Sequence, residues 1–300
     1  MRKPAALKAG DTIAIVAPAA VADALAVDSG ERALQHAGFQ VRLGDSVFRR
    51  TGYLAGTDPE RRDDLIEAFR DPTVRAIFCA RGGYGSGRLL PLLAEALRVD
   101  EPKIFVGYSD LTFLLTFLTQ QCDIVAFHGP MMADFEKRPQ ALPRLLALLG
   151  GDRSGWNLAG ETIVQPGTAE GVLTGGCLSA VVAGLGTPYE IETEGKILFL
   201  EDVNEKPYRV DRMLTQLRQA GKLDGVAGVM FGEMAGCSAD PNESVNVADV
   251  IGQHFANSTH PVVMGIPSGH GVGTATLPLG LRVRLAGQRL SFLESPFGDG

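Results

Sequence analysis

The 300-residue sequence has few cysteines, and no two of them stand at a spacing typical of metal ligands. The four are Cys79, Cys122, Cys177 and Cys237, and none belongs to a CxxC-type motif. This pattern argues against a zinc site and against a disulfide framework. We expect small buried apolar residues in a reducing compartment.

Long hydrophobic runs and blocks of like charge are also missing. No stretch approaches the roughly 18 apolar residues that a membrane helix requires. Near the N-terminus, Lys8 and Asp11 interrupt any apolar core of a secretory signal. The net charge is −7, with acidic and basic residues interspersed. This balance predicts no nucleic-acid and no membrane partner and suits a soluble enzyme. Because a secretory signal is not indicated, the expected location is the cytoplasm.

Internal repeats and low-complexity tracts are absent as well. What is present is a chain of 300 residues with 45% hydrophobic residues. At roughly 100–200 residues per domain, this length predicts one large or two moderate domains. A core of that size folds without metal or disulfide support. We expect neither a cofactor nor a metal.

Strand-like and helix-like segments alternate through the first half of the chain. Predicted strands cover residues 12–16, 39–43, 75–79, 103–106 and 124–127. Predicted helices run from about 28 to 36, from 57 onward, and over 89–97, 111–121 and 142–149. This alternation predicts an α/β fold with a mostly parallel sheet flanked by helices. Functional loops of such a sheet lie at the carboxyl ends of its strands.

The texture of the sequence changes near Gly150. Residues 151–176 are rich in Gly and Thr, and we interpret them as a linker with short strands that leads into a second domain. The predicted division is therefore 1–150 for the first domain and 177–300 for a second, mixed α/β domain. Two late strands, 275–285 and 288–293, are expected to form a hairpin, although Pro278 limits how much of the first lies centrally in a sheet.

Ser109 stands where a predicted buried strand meets a predicted helix, in the segment Gly107-Tyr108-Ser109-Asp110. A serine there can present its hydroxyl beside the free N–H groups of a helix start, as an activated nucleophile requires. The competing interpretation is a helix cap, with Asp110 in the first turn. The segment alone does not decide between the two.

A glycine-dense loop, Arg81-Gly82-Gly83-Tyr84-Gly85-Ser86-Gly87, follows the neighbouring strand. Glycine allows close backbone approach and positive φ. A phosphate cradle is one interpretation, but no Gly-Lys-Ser/Thr follows. A second is an oxyanion contributor beside Ser109, and a third is a tight turn.

Two carboxylates, Glu201 and Asp202, end the apolar strand 197–200. A buried carboxylate needs a partner because an unpaired buried charge is costly. That partner is either a catalytic imidazole or an arginine of the next helix, Arg209 or Arg212.

His270 lies between two glycines in a loop, a setting more typical of a functional histidine than of a packed one. His128, at the end of a predicted strand, is the second choice for a base. Cys177 precedes a predicted helix whose N-terminus would lower its pKa, which makes it a less favoured alternative nucleophile.

The chain resembles the LD-carboxypeptidases, the serine peptidases that include murein tetrapeptide carboxypeptidase and the microcin C immunity proteins. The resemblance runs nearly end to end and rests on an ordered set of segments. These are Gly10-Asp11-Thr12-Ile13, Arg81-Gly82-Gly83-Tyr84-Gly85, Gly107-Tyr108-Ser109-Asp110, His128-Gly129-Pro130-Met131, Leu200-Glu201-Asp202-Val203-Asn204-Glu205, Pro207-Tyr208-Arg209-Val210-Asp211-Arg212, Gly269-His270 and Thr276-Leu277-Pro278-Leu279-Gly280.

The resemblance implies a catalytic triad of Ser109, His270 and Glu201, in a groove between the two domains. It also implies an oxyanion hole formed by the backbone N–H groups of Gly83 and Asp110, with Gly82 as an alternative to Gly83.

The implied substrate is a peptidoglycan stem tetrapeptide whose terminal D-Ala is released. Contacts to it are expected from Arg81, Gly82 and Tyr84, with Arg81 suited to the terminal carboxylate. The alternatives are a microcin C-type peptidyl-nucleotide hydrolase and a non-catalytic binding protein. The family resemblance further implies a homodimer. One departure is Cys177, where many relatives have Asn.

Overall fold

The chain divides into two compact units in the computed structural model, which describes residues 1–154, 156–239, 244–273 and 275–298. The first unit comprises Met1–Arg153, Thr276–Pro278 and the residues from 296 on. The second comprises Ser154–Ala275 and Leu279–Ser295.

The first unit is built on a six-stranded sheet flanked by helices. In chain order its elements are β1 (Thr12–Val16), α1 (Ala24–His36), β2 (Gln40–Leu43), α2 (Asp58–Arg70), β3 (Val74–Cys79), α3 (Leu90–Ala96), β4 (Ile104–Gly107), α4 (Thr112–Gln120), β5 (Ala126–His128), α5 (Met132–Phe135) and α6 (Ala141–Leu149). The strands lie in the order β12-β5-β4-β3-β1-β2, in which the sixth strand, β12 (Leu277–Leu279), comes from late in the chain. Every pairing between the other five strands is parallel. The predicted parallel α/β architecture is therefore confirmed.

The second unit is built on an eight-stranded mixed sheet. Its elements are β6 (Asn157–Ala159), β7 (Thr162–Gln165), β8 (Thr168–Cys177), α7 (Leu178–Ala183), β9 (Lys196–Val203), α8 (Pro207–Gln219), β10 (Gly228–Ala235), α9 (Val247–Phe255), β11 (Val262–Gly269), β13 (Arg282–Ala286) and β14 (Arg289–Phe292). The four strands β8-β9-β10-β11 are parallel, and antiparallel strands extend the sheet on both sides. The predicted mixed sheet with late strands is confirmed.

The segment 151–176 contains strands, as expected, whereas the late strands differ in detail from the sequence-based prediction. Much of 151–176 forms β6, β7 and most of β8, because its Thr, Val and Ile residues suit strands. The expected hairpin strand 275–285 is divided in two. Its first part is β12 (Leu277–Leu279), at the edge of the first sheet next to β5, and its second part is β13, which pairs with β14. Pro278 has no N–H to donate, which suits an edge strand.

Two helices of the first unit, α1 and α2, begin with side-chain caps. Thr57 accepts the N–H of Glu60 and Glu60 accepts the N–H of Thr57, which is a capping box at the predicted start of α2. The predicted start of α1 at Asp28 or Ser29 is wrong, because Asp23 caps the helix one turn earlier by accepting the Leu25 N–H at 2.9 Å.

None of the helices within the described residues has the length and hydrophobicity that a bilayer-spanning segment requires. The core of the first unit is formed by its strands, with Ile13, Ile15, Phe78 and Phe105 fully buried. In the second unit, Leu198, Phe231 and their neighbours pack against α8 and α9.

The cap of α2 is testable by removing its hydroxyl. Thr57→Ala should destabilise the first unit by about 1 kcal/mol, because the Glu60 N–H loses its side-chain acceptor. Thr57→Ser keeps the hydroxyl and should stay near the wild type. Thermal unfolding followed by circular dichroism measures both, and equal transitions for the two variants would contradict the capping role.

Candidate active site

Ser109 occupies a strained turn between β4 and α4. Its φ is +65°, in the left-handed region that residues with a side chain rarely adopt. Tyr108 before it is extended, and Ser109–Leu111 form a short 3₁₀ turn. A Cβ on Gly107 would lie 3.1 Å from Leu111 and 3.3 Å from the Cys79 Sγ, so a larger residue there would press tightly against both side chains. This strand–turn–helix geometry is the one that exposes a nucleophilic serine.

The glycine-dense loop after β3 lies directly against this turn. A Cβ built on Gly82 would lie 3.0 Å from the Ser109 Cβ and 3.2 Å from its Oγ. Gly83 has φ +100°, and a Cβ there would lie 2.8 Å from Ala20. The structure therefore brings Gly82 and Ser109 together, as expected for a loop that contributes to an oxyanion hole.

The end of this loop is hydrogen-bonded to the residue after Ser109. The Ser86 N–H donates to the Asp110 carboxylate at 2.8 Å, and the Ser86 hydroxyl donates to the Asp110 carbonyl oxygen at 2.6 Å. Both residues are buried. Farther back, the buried Arg61 donates to the Gly85 carbonyl oxygen at 3.0 Å.

Arg81 and Tyr84 lie on the exposed side of the same loop. The Arg81 guanidinium donates to the Val21 carbonyl oxygen at 3.0 Å. Tyr84 packs edge-to-face against the exposed Tyr53, with ring centroids 5.7 Å apart. Their expected roles in substrate contact stay predictions.

His128, the second choice for a base, is a packed residue. It ends β5 beside Gly107 of β4, is buried, and contacts the Tyr108 ring edge-to-face at 5.7 Å. The Tyr108 hydroxyl in turn donates to Asp134 at 2.9 Å. His128 thus supports the turn that carries Ser109.

In the second unit, Glu201 and His270 form a hydrogen-bonded pair. The His270 Nδ1 lies 2.6 Å from the Glu201 Oε2, and Glu201 is fully buried. Gly269 has φ +134°, and a Cβ there would lie 2.7 Å from that same carboxylate oxygen. An ionised carboxylate only accepts hydrogen bonds, so it holds the proton on Nδ1 and leaves Nε2 as a base.

Glu233, which the sequence did not single out, braces the loop of His270. It lies on β10, between β9, which carries Glu201, and β11, which ends one residue before His270. Its Oε1 accepts the Gly273 N–H at 2.7 Å, and a Cβ on Gly271 would lie 2.4 Å from it. No local motif distinguishes this glutamate. It reaches the loop of His270 because β10 pairs with both β9 and β11 in the sheet.

The surroundings of Asp202 and Cys177 are typical of structural residues. Asp202 accepts the N–H groups of Ser179 and Val203, both at 2.8 Å. The bond from Ser179 caps the first turn of α7, so backbone donors take the place of the salt bridge to Arg209 or Arg212 that was one of the two interpretations. Burial, followed by the charges of Glu201 and Asp202, raises the pKa of the Cys177 thiol. This is the opposite of the lowered pKa that a thiol nucleophile needs.

Within the residues that the structure describes, no cluster of three or more His, Cys, Asp or Glu side chains is arranged to hold a metal ion.

Family profiles match both units of the chain. The LD-carboxypeptidase N-terminal domain matches residues 13–129, and the LD-carboxypeptidase C-terminal domain matches residues 170–285. The chain belongs to the LD-carboxypeptidase family. It is therefore a peptide hydrolase, and the family resemblance predicted from the sequence is confirmed.

Two curated relatives are similar over nearly the whole chain. A probable murein peptide carboxypeptidase of Bacillus subtilis is 38% identical over 99% of this chain and 96% of its own length. The murein tetrapeptide carboxypeptidase of Pseudomonas aeruginosa is 32% identical over 93% of this chain and 94% of its own.

Solved structures share the fold. The muramoyltetrapeptide carboxypeptidase of Oxalobacter formigenes is 28% identical, with a TM-score of 0.79 over 94% of this chain and 97% of that one. The microcin C7 self immunity protein MccF is 24% identical, with a TM-score of 0.89 over 99% of this chain and 100% of that one. At this identity the likeness to MccF shows the fold alone.

The contact between Gly82 and Ser109 is testable with one methyl group. Gly82→Ala should lower the rate of Ser109 labelling by a fluorophosphonate roughly 10-fold, because the new Cβ displaces the serine. Gly252→Ala in α9 is the control, since a Cβ there meets nothing within 4 Å. Equal labelling of both variants would contradict the proximity.

The inertness of Cys177 is testable by alkylation. At pH 7.5 iodoacetamide should leave Cys177 unmodified in the folded enzyme, because its pKa is raised and its side chain is buried. Peptide mass spectrometry measures the modification, with urea-unfolded protein as the positive control. Rapid alkylation of the folded protein together with loss of activity would restore Cys177 as a candidate nucleophile.

Proposed function

We propose that this chain is a serine LD-carboxypeptidase that releases the terminal D-Ala from peptidoglycan stem tetrapeptides through an acyl-enzyme. The observation that carries the proposal is the left-handed backbone of Ser109 at the end of a buried parallel strand. Such strain persists where function requires the side chain to be presented. The names of the Bacillus and Pseudomonas relatives supply the substrate class.

In the proposed reaction, Ser109 Oγ attacks the carbonyl carbon between the diamino acid and D-Ala, and its proton passes to His270 Nε2. Glu201 keeps the imidazole in the required tautomer and stabilises its cation. The N–H groups of Gly83 and Asp110 bind the developing oxyanion. His270 then protonates the departing D-Ala amine, and water hydrolyses the acyl-enzyme by the same proton path.

The oxyanion hole is expected to supply a large share of the rate. Losing one such donor typically costs a few kcal/mol of transition-state stabilisation. The close approach of the Gly82 backbone to Ser109 supports this assignment. For the substrate's terminal carboxylate, Arg81 is the proposed partner.

Three finer parts of the proposal rest on the sequence and on the family resemblance. These are a cytoplasmic location, a role in cell-wall recycling and a homodimeric assembly. Sedimentation of the purified protein tests the assembly, and fractionation of the source cells tests the location.

The triad is testable by removing the nucleophile. Ser109→Ala should fold normally and lose D-Ala release by several orders of magnitude, because no acyl-enzyme can form. Chromatographic detection of D-Ala from a synthetic L-Ala-D-Glu-diamino acid-D-Ala tetrapeptide measures turnover. Ser291→Ala, on β14 of the second unit, is the control.

Retained D-Ala release by Ser109→Ala would refute the serine mechanism. A parallel incubation with a microcin C-type peptidyl nucleotide tests the alternative substrate. Cleavage of the nucleotide conjugate without cleavage of the tetrapeptide, detected by mass spectrometry, would overturn the murein assignment.

A further inference from the structure

Ser86 joins the loop 81–87 to the turn of Ser109 through two hydrogen bonds. Its N–H donates to the Asp110 carboxylate and its hydroxyl to the Asp110 carbonyl oxygen, at 2.8 and 2.6 Å. Ser86 is 0% exposed and Asp110 is 8% exposed. Buried hydrogen bonds of this kind fix geometry because no water competes for the donors.

The glycines of this loop cannot fix its position by themselves. Gly82, Gly83 and Gly85 have no side chains, and two of them adopt positive φ. Other contacts hold the loop on its far side, where the Ala20 N–H donates to the Gly82 carbonyl oxygen at 3.2 Å and Arg61 donates to the Gly85 carbonyl oxygen. The Ser86–Asp110 bonds instead connect the loop to the turn that carries the nucleophile.

We infer that Ser86, through Asp110, is a positioning residue for catalysis that sets the spacing between Ser109 Oγ and the Gly83 N–H. This inference rests on the proposed function, in which that N–H binds the oxyanion. The side chain of Asp110 thereby acquires a role separate from that of its backbone N–H.

Such a role has a kinetic signature. An oxyanion donor acts on charge that develops in the transition state, so its displacement lowers kcat and leaves ground-state binding nearly unchanged. A merely structural bond would instead change stability without separating kcat from KM.

The chain contains a matched control pair in the same unit. Ser46 donates its N–H to the Asp64 carboxylate at 2.8 Å, and its hydroxyl donates to the same oxygen. Ser46 is 0% exposed and Asp64 is 8% exposed, as in the Ser86–Asp110 pair. Ser46 follows β2 and lies outside the proposed machinery, so Ser46→Ala removes an equivalent buried hydroxyl with no expected effect on kcat.

The first experiment compares Ser86→Ala with Ser46→Ala in tetrapeptide hydrolysis. We expect Ser86→Ala to lower kcat roughly 10- to 100-fold with KM within about twofold, since small misplacements at a reacting centre are costly. Ser46→Ala should keep the wild-type kcat. Equal kcat values for the two variants would overturn the inference.

A transition-state mimic separates positioning from folding. In a tripeptide boronic acid, boron replaces the carbonyl carbon of the diamino acid, and Ser109 Oγ adds to it to form a tetrahedral boronate. Ser86→Ala should weaken inhibition by this probe about as much as it lowers kcat, while the affinity for the tripeptide product stays unchanged. Parallel losses of both affinities would overturn the inference.

Variants of Asp110 test the other half of the contact. Asp110→Ala removes the acceptor of the buried Ser86 N–H, whereas Asp110→Asn retains an acceptor oxygen. Activity should therefore fall farther in Asp110→Ala than in Asp110→Asn. The reverse order would contradict the proposed role, and if Asp110→Ala does not fold, Asp110→Asn and Ser86→Ala still decide the matter.

Hydrogen–deuterium exchange keeps the inference separate from the proposed function. Peptides covering residues 81–87 should exchange faster in Ser86→Ala than in the wild type, and not in Ser46→Ala. If the wild type releases no D-Ala and does not bind the boronic acid, the proposed function is wrong. Unchanged exchange of the loop in Ser86→Ala would overturn the inference in either case.

Discussion

The left-handed backbone of Ser109 is the constraint on which the junction between β4 and α4 depends. Among the residues that the structure describes, Asp123 and Asn204 are the other non-glycine residues with positive φ, and both are of types that tolerate it. Serine is not one of the residue types that adopt the left-handed conformation readily, and such backbone strain costs on the order of 1–3 kcal/mol. The buried strand β4 before it, the close-packed Gly107 and the neighbouring Gly82 hold the turn in place.

The second unit satisfies a different constraint, the burial of a carboxylate. Glu201 lies on the central parallel strand β9 and is fully buried, so it needs hydrogen-bond donors. His270 supplies one at 2.6 Å, and Gly269 leaves room for the contact. The same edge of the sheet holds Glu233, which restrains the loop after His270 through Gly273. A carboxylate that is costly to bury thus fixes the orientation of an imidazole.

The same local chemistry serves two purposes in the first unit. Ser46–Asp64 and Ser86–Asp110 are both buried serine–aspartate pairs with N–H and O–H donation toward the aspartate. One secures a loop after β2, and the other lies one residue from Ser109. The two pairs differ in their position relative to the sheet. Ser86 and Asp110 follow the carboxyl ends of the adjacent parallel strands β3 and β4. We infer a catalytic consequence for the second pair alone.

The sequence by itself determined the strand–helix alternation, the helix start at Thr57 and the family, because these depend on local residue types and on ordered motifs. It also indicated Ser109, Glu201 and His270, whose flanking strands and glycines are local signals. It could not decide between a cap and a nucleophile for Ser109, because φ is set by packing. The edge position of Leu277–Leu279, the cap that Asp202 makes on α7, the brace at Glu233 and the Ser86–Asp110 bonds were decided only by the tertiary structure. Each depends on residues far apart in the chain that meet only when the sheets form, and no local pattern encodes such a meeting.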